Sequence, residues 1–223
     1  MPGLTKTLSI GGLAAASSNN IATTQAGTAN TALTLNGSTV TGGVATLDLP
    51  RRVLVTSAGT DTSINFKIVG TDRNGASMTE TIKGGSSGNP VYTANDFLTV
   101  TAVTPSGNTA SNVTVGTNTI ASSAPMIVDF FANPNQIGCS IAVVGTANYT
   151  IQEALDDLSP AWNIGANTPT WSNDPNFTAQ TNNLQGQLSG PFTMIRILIN
   201  SGAGTGASVT GRFVTPFNAG RIN

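Results

Sequence analysis

Hydrophobic and polar positions alternate with a period of two in several short stretches, the pattern of half-buried β-strands. Residues 64–69 are the clearest case: Ile64, Phe66 and Ile68 fall on one side, Asn65 and Lys67 on the other. Asp72-Arg73-Asn74-Gly75 follows, and Asn-Gly is a strong hairpin signal because both residues tolerate left-handed backbone. Residues 77–82 are expected to return as the partner strand. Further strands are expected at 52–56, 97–103 and 112–116, with turns at Ser57-Ala58-Gly59 and Pro105-Ser106-Gly107-Asn108.

Ordered structure is expected to begin near Leu47. Before it, Asn19-Asn20, Thr23-Thr24 and Gly42-Gly43 punctuate a Thr/Ala/Gly-rich stretch with weak strand signals such as 32–35. Residues 1–45 therefore read as an extended N-terminal arm, lying along a neighbouring subunit or poorly ordered. The rest reads as two related β units, 46–120 and 121–223. Residues 97–107 align with 192–202, 113–116 align less closely with 208–211, and Ile68-Val69-Gly70-Thr71 resembles Val143-Val144-Gly145-Thr146. The second unit carries an insertion, a loop expected over 152–191 with Pro160, Pro169, Pro175, Pro191 and both tryptophans, Trp162 and Trp171. Long loops in compact domains are commonly functional or disordered, and tryptophans argue against disorder. They either pin the loop to the sandwich or form a contact surface. The expected fold class is all-β, with two tandem β-sandwich (jelly-roll-like) units.

Composition sharpens this picture. Charged residues are 9% of the 223 and hydrophobic ones 39%, where an ordinary soluble protein has about 25% charged. Thr, Asn, Ser, Gly and Ala make up the difference, a profile of short strands and many tight turns. Nine basic and ten acidic residues give a net charge of -1, and Arg51-Arg52 is the only adjacent basic pair. Nucleic-acid binding, which needs several cations on one face, is not expected. So sparse a charge suits a protein that lives inside an assembly. No run approaches the roughly 20 apolar residues that a membrane span needs. The stretch after Lys6 faintly imitates a signal peptide, but Ser9, Gly11 and Gly12 interrupt it. The single cysteine, Cys139, lies in the apolar run 137–144 and is expected in the core, which fits a cytosolic assembly site.

The chain contains no histidine, which removes the commonest general base and every Ser-His-Asp or Cys-His nucleophile system. One cysteine cannot make up a zinc site, and no Gly-rich segment ends in the phosphate-cradling Gly-Lys-Ser/Thr. Carboxylates remain. Glu153, Asp156, Asp157 and Asp174 could serve as a glycosidase pair, the aspartates as a calcium site with backbone carbonyls, or all of them as plain loop acids. The last reading is preferred: no enzyme, cofactor or metal is expected. Arg196 sits between Ile195 and Ile197, so alternation places it opposite the core face. It is either a surface arginine whose stem covers apolar neighbours or an interface arginine paired with a partner's carboxylate. Sequons such as Asn148-Tyr149-Thr150 are expected by chance in so Asn- and Thr-rich a chain.

Two extended stretches carry a resemblance. The first is Pro50-Arg51-Arg52-Val53-Leu54-Val55-Thr56-Ser57-Ala58-Gly59-Thr60-Asp61, continued by Val69-Gly70-Thr71-Asp72-Arg73-Asn74-Gly75 and Thr79-Glu80-Thr81-Ile82. The second is Val144-Gly145-Thr146-Ala147-Asn148-Tyr149-Thr150-Ile151-Gln152, then Leu155-Asp156-Asp157, Gln180-Thr181 and Pro191-Phe192-Thr193-Met194-Ile195-Arg196-Ile197. Together they resemble segments of tailed-bacteriophage virion proteins, with capsid decoration (cement) proteins the best match. That resemblance implies a small β-sandwich protein, often a homotrimer, bound to the major capsid protein on the outer capsid surface and bracing the shell. It carries no residue-level motif. From the residues themselves, the expected partner-contact positions are Trp162, Trp171 and Arg196. A tail component (tube, adaptor or fibre-attachment protein) and a carbohydrate-binding or adhesin module, its tryptophans stacked on sugars, stay open as alternatives.

Overall fold

The computed structural model describes residues 5–128, 136–156, 169–202 and 206–214. The described chain is all-β and contains no helix. It divides into two compact units: Ala14–Ala121 forms one, and residues 5–13 join the described residues from 122 onward in the other.

In the Ala14–Ala121 unit the 65–83 hairpin forms as its pattern predicts. Asn65–Thr71 (here β5) pairs with Ser77–Lys83 (β6), Phe66 opposite Ile82 and Thr71 opposite Ser77. Phe66 and Ile68 are fully buried, and Ile64 packs against the same core. The connection is a three-residue loop. Gly75 N–H donates to Asp72 O (3.1 Å), Asp72 N–H to Ala76 O (2.9 Å), and Gly75 takes a φ of 79°. That left-handed position is why glycine ends the turn. Asp72 Oδ1 also accepts the N–H groups of Asn74 and Ala76.

Val44–Ser57 (β4) is the longest strand and organises the unit. Its first half pairs with Phe97–Pro105 (β8), and β8 in turn pairs with β5. Its second half lies between Asn112–Ser122 (β9) and Val91–Tyr92 (β7). Register shifts fall on either side of Pro50, between Thr46 and Arg51 on the β8 side, where the missing N–H of proline suits a break in the ladder. Ser17–Ala26 (β2) pairs with β9, and Val40–Thr41 (β3) with the start of β4. Alternate residues of β4 point inward throughout: Ala45, Leu47, Arg51, Val53, Val55 and Ser57 are all buried.

The other unit holds two sheets. In the first, Thr5–Gly11 (β1), Ser208–Val214 (β16), Gln136–Val144 (β11) and Leu184–Ser189 (β14) lie in the order β1-β16-β11-β14, all antiparallel. In the second, Ala147–Ala154 (β12) pairs with Ser172–Asn173 (β13) and Met194–Gly202 (β15), and β15 also pairs with Met126–Ile127 (β10). Ile137, Cys139 and Ile141 of β11, Val209 and Phe213 of β16, Tyr149 and Ile151 of β12, and Ile195, Ile197 and Ile199 of β15 are buried. The expected core position of Cys139 holds, and burial, with the Asp174 charge, pushes its thiol up to about 12.

Three expectations change. The extended N-terminal arm is not confirmed: β1 forms seven register pairs with β16, and Ile10, Leu13, Ile21, Ala22, Leu33 and Ala45 are buried. Their apolar side chains are spaced too widely among Thr, Asn and Gly to show a period. Tandem repetition is not confirmed either. Ile68 of β5 stands opposite Val103 of β8, whereas Val143 of β11 stands opposite Val209 of β16 and not on β15. Finally, 152–191 is not one loop, since β13 and β14 lie within it. Residues 157–168, with Pro160, fall outside the described residues.

Candidate functional site

The candidate site is built on β12 and β15. Arg196 stands opposite Gln152, and Ile195 opposite Glu153. Directly opposed residues in a sheet share a face, so Arg196 and Gln152 lie on one face while Glu153 shares the other with buried Ile195. Alternation therefore placed Arg196 correctly, opposite Ile195 and Ile197.

Arg196 is half-buried and engaged. Its Nε donates to Gln152 Oε1 (2.8 Å), its Nη1 to Ser122 Oγ (3.3 Å), and its Cζ lies 4.3 Å from the Trp171 ring centroid. Gln152 Nε2 donates to Asn173 Oδ1 (2.8 Å), and Asn173 and Ser172 pair with Gln152 and Glu153. The sequence Trp171-Ser172-Asn173 is thus held to the sheet at both ends, by an aromatic–guanidinium stack and by β-pairing. Of the two roles open to Trp171, this geometry serves pinning. Trp171 and Arg196 are brought together; Trp162 lies outside the described residues.

The opposite face collects the acids. Asp174 is 2% exposed. Its Oδ1 accepts the N–H groups of Asn176 (2.8 Å) and Phe177 (3.0 Å), and its own N–H donates to Ile151 O. Glu153 Oε1 is buried without a hydrogen-bond partner. Burial first, then the nearby Asp174 carboxyl, pushes the Glu153 carboxyl up to about 7. Cys139 and Tyr149 stand nearby, and burial pushes the Tyr149 phenol up to about 12. Asp156 is elsewhere, its Oδ2 accepting Thr170 N–H (2.6 Å), and Asp157 falls outside the described residues. Among the described residues no three Cys, Asp or Glu side chains converge as a metal would require.

One residue of consequence was missed in the sequence. Arg51, read there only as half of a basic pair, is 1% exposed. Its Nη1 donates to Asp48 Oδ1 (2.9 Å), Nη2 to Ala14 O (2.9 Å), and Nε to Asn118 O (2.9 Å). Asp48 Oδ2 accepts Ala14 N–H (2.7 Å). The signal was available: Leu47, Arg51, Val53 and Val55 share one parity, which puts Arg51 on the core side. Next to it, Arg52 lies on the other face of β4, largely covered, 3.8 Å from Asp96 and 5.7 Å over the Tyr92 ring.

No protein-family model matches this sequence, and no curated protein matches it significantly.

Proposed function

We propose that this chain is a structural protein of a phage particle, a capsid decoration protein that docks on the major capsid protein at the outer shell surface as a homotrimer and braces the shell. The observation that carries the reading is how the few charges are used. Arg51 is spent on Asp48, Arg52 on Asp96, and Arg196 on Gln152 and Trp171. What these β units offer a partner is then largely uncharged Thr, Asn, Ser and Gly. Such a surface repels its neighbours weakly and can be buried without stranding charges. Attachment would come from several modest contacts summed over one oligomer. The resemblance of its segments to those of tailed-phage virion proteins supports the same reading.

The test is cryo-electron microscopy of the parent particle with this chain traced in density. Clusters at three-fold or quasi-three-fold positions of the shell are expected. A ring or stalk at the tail vertex would make it a tail component. Absence from the particle, with glycan binding by the isolated protein, would sink the virion reading.

A further inference from the structure

Asn-Gly occurs twice in the chain, at Asn36-Gly37 and at Asn74-Gly75. In such a pair the glycine amide nitrogen can attack the asparagine Cγ, because no glycine Cβ blocks the approach. Both asparagines are exposed, but the structure holds them differently. Asn36 Oδ1 accepts the N–H (2.8 Å) and the hydroxyl (2.9 Å) of Thr23. Gly37 N–H donates to Ile21 O (3.0 Å), and a Cβ at Gly37 would stand 2.2 Å from Asn20 C. Both reacting groups are thus tied to β2, with its backbone filling the space in which they would have to move. The tip of the β5–β6 hairpin has no such restraint. Among the described residues the Asn74 carboxamide makes no hydrogen bond. A Cβ at Gly75 would meet nothing within 4 Å. Gly75 N–H donates inside its own turn, to Asp72 O (3.1 Å), and a loop tip is where local opening costs least.

We propose that Asn74 is a self-modification site, converting to aspartate and isoaspartate in the folded protein while Asn36 is shielded. The Gly75 nitrogen gives up its proton and bonds to Asn74 Cγ. The Cγ–Nδ2 bond breaks, ammonia leaves with that proton, and a succinimide ring closes. Water then opens the ring. Attack at the side-chain carbonyl gives aspartate; attack at the main-chain carbonyl gives isoaspartate, whose backbone runs through Cβ and Cγ and is one carbon longer. Either product adds a carboxylate close to that of Asp72, in a chain whose net charge is only -1. The extra carbon falls inside a loop closed by Asp72 N–H to Ala76 O (2.9 Å) and by Asp72 Oδ1, which accepts the N–H groups of Asn74 and Ala76. Isoaspartate therefore loosens the tip, while buried Phe66 and Ile68 keep the strands below it in register. The site is independent of the virion reading: either holds if the other fails.

The experiment holds the full chain in mildly alkaline buffer, folded in one sample and unfolded in urea in another. Both are sampled over days and digested at acidic pH, where ring closure is suppressed. Peptides covering positions 36 and 74 are followed by mass spectrometry, with isoaspartate separated from aspartate by chromatography. In the folded protein position 74 is expected to convert at least about tenfold faster than position 36, with isoaspartate among its products. In urea the two rates should converge, because both pairs are Asn-Gly and only the fold distinguishes them. Unreacted Asn74, or equal conversion of the two asparagines in the folded protein, overturns the proposal. So does a gap of the same size in urea, which would assign the difference to neighbours along the chain.

Discussion

The Arg196 guanidinium lies 4.3 Å from the centroid of the Trp171 indole while its Nε donates to Gln152. One cation is therefore fixed from two sides, and it fixes the segment that leads into β13. A double-mutant cycle of Trp171→Ala and Arg196→Ala measures the stack. A coupling of about 0.5–2 kcal/mol is expected by urea unfolding, at the upper end because both groups are partly desolvated. Strict additivity of the two substitutions would show that the ring and the guanidinium do not interact.

Arg51 is expected to be the most sensitive charged residue of the chain. Arg51→Met leaves the Asp48 carboxylate and the Ala14 and Asn118 carbonyls without their donor. Arg51 is buried but Asp48 is partly exposed, so the loss is about 1–3 kcal/mol, mostly from the stranded carbonyls. Arg51→Lys should recover little, because an ammonium cannot span three acceptors in the plane of a guanidinium. A loss under about 1 kcal/mol for the Met variant would contradict this account.

The same pair sets an acid limit. Burial works to raise the Asp48 carboxyl, but the Ala14 N–H and the Arg51 guanidinium together outweigh it and hold it below the ordinary range. A depressed carboxyl contributes stability that is complete above its unfolded value of 3.8 and is lost as pH falls through the folded one. Urea midpoints should therefore drop below about pH 4, and Asp48→Asn should flatten that limb.

Glu153 acts in the opposite sense. Its raised carboxyl means that the folded state holds a proton the unfolded chain has released, so stability declines as pH rises from 4.5 to about 7 and is level above that. With its partial exposure discounted, the decline is about 1–2 kcal/mol. Glu153→Gln should remove it, and a midpoint unchanged between pH 5 and 7.5 in the unaltered protein would refute the assignment.

Gly70 marks the register shift where β5 meets β8. A Cβ there would lie 1.9 Å from Thr99 O, with backbone and not a flexible side chain in the way. Gly70→Ala should cost about 1–3 kcal/mol, read as a fall in melting temperature. A neutral outcome would mean that β5 and β8 separate freely at this point.

Local pattern was enough to specify the β-class, the 65–83 hairpin with its Asp72–Gly75 turn, the core position of Cys139 and the face of Arg196. Each depends on alternation or turn chemistry within a few residues of chain. What tertiary structure decided has long sequence separation. β1 pairs with β16 some 200 residues away, and nothing in Thr5–Gly11 names its partner. Ser17–Ala26 and Leu184–Ser189 have few apolar residues and no sharp period, so only their neighbours reveal them as strands. Arg51 had the parity of a core residue but the chemistry of a surface one. The carbonyls that make its burial tolerable come from Ala14 and Asn118, 37 and 67 positions away. Glu153 and Asp174 are separated in sequence, and only the pairing of β12 with β13 brings them to one face of the sheet. A residue's burial and ionisation depend on the partners it meets across the fold, which spacing along the chain does not encode.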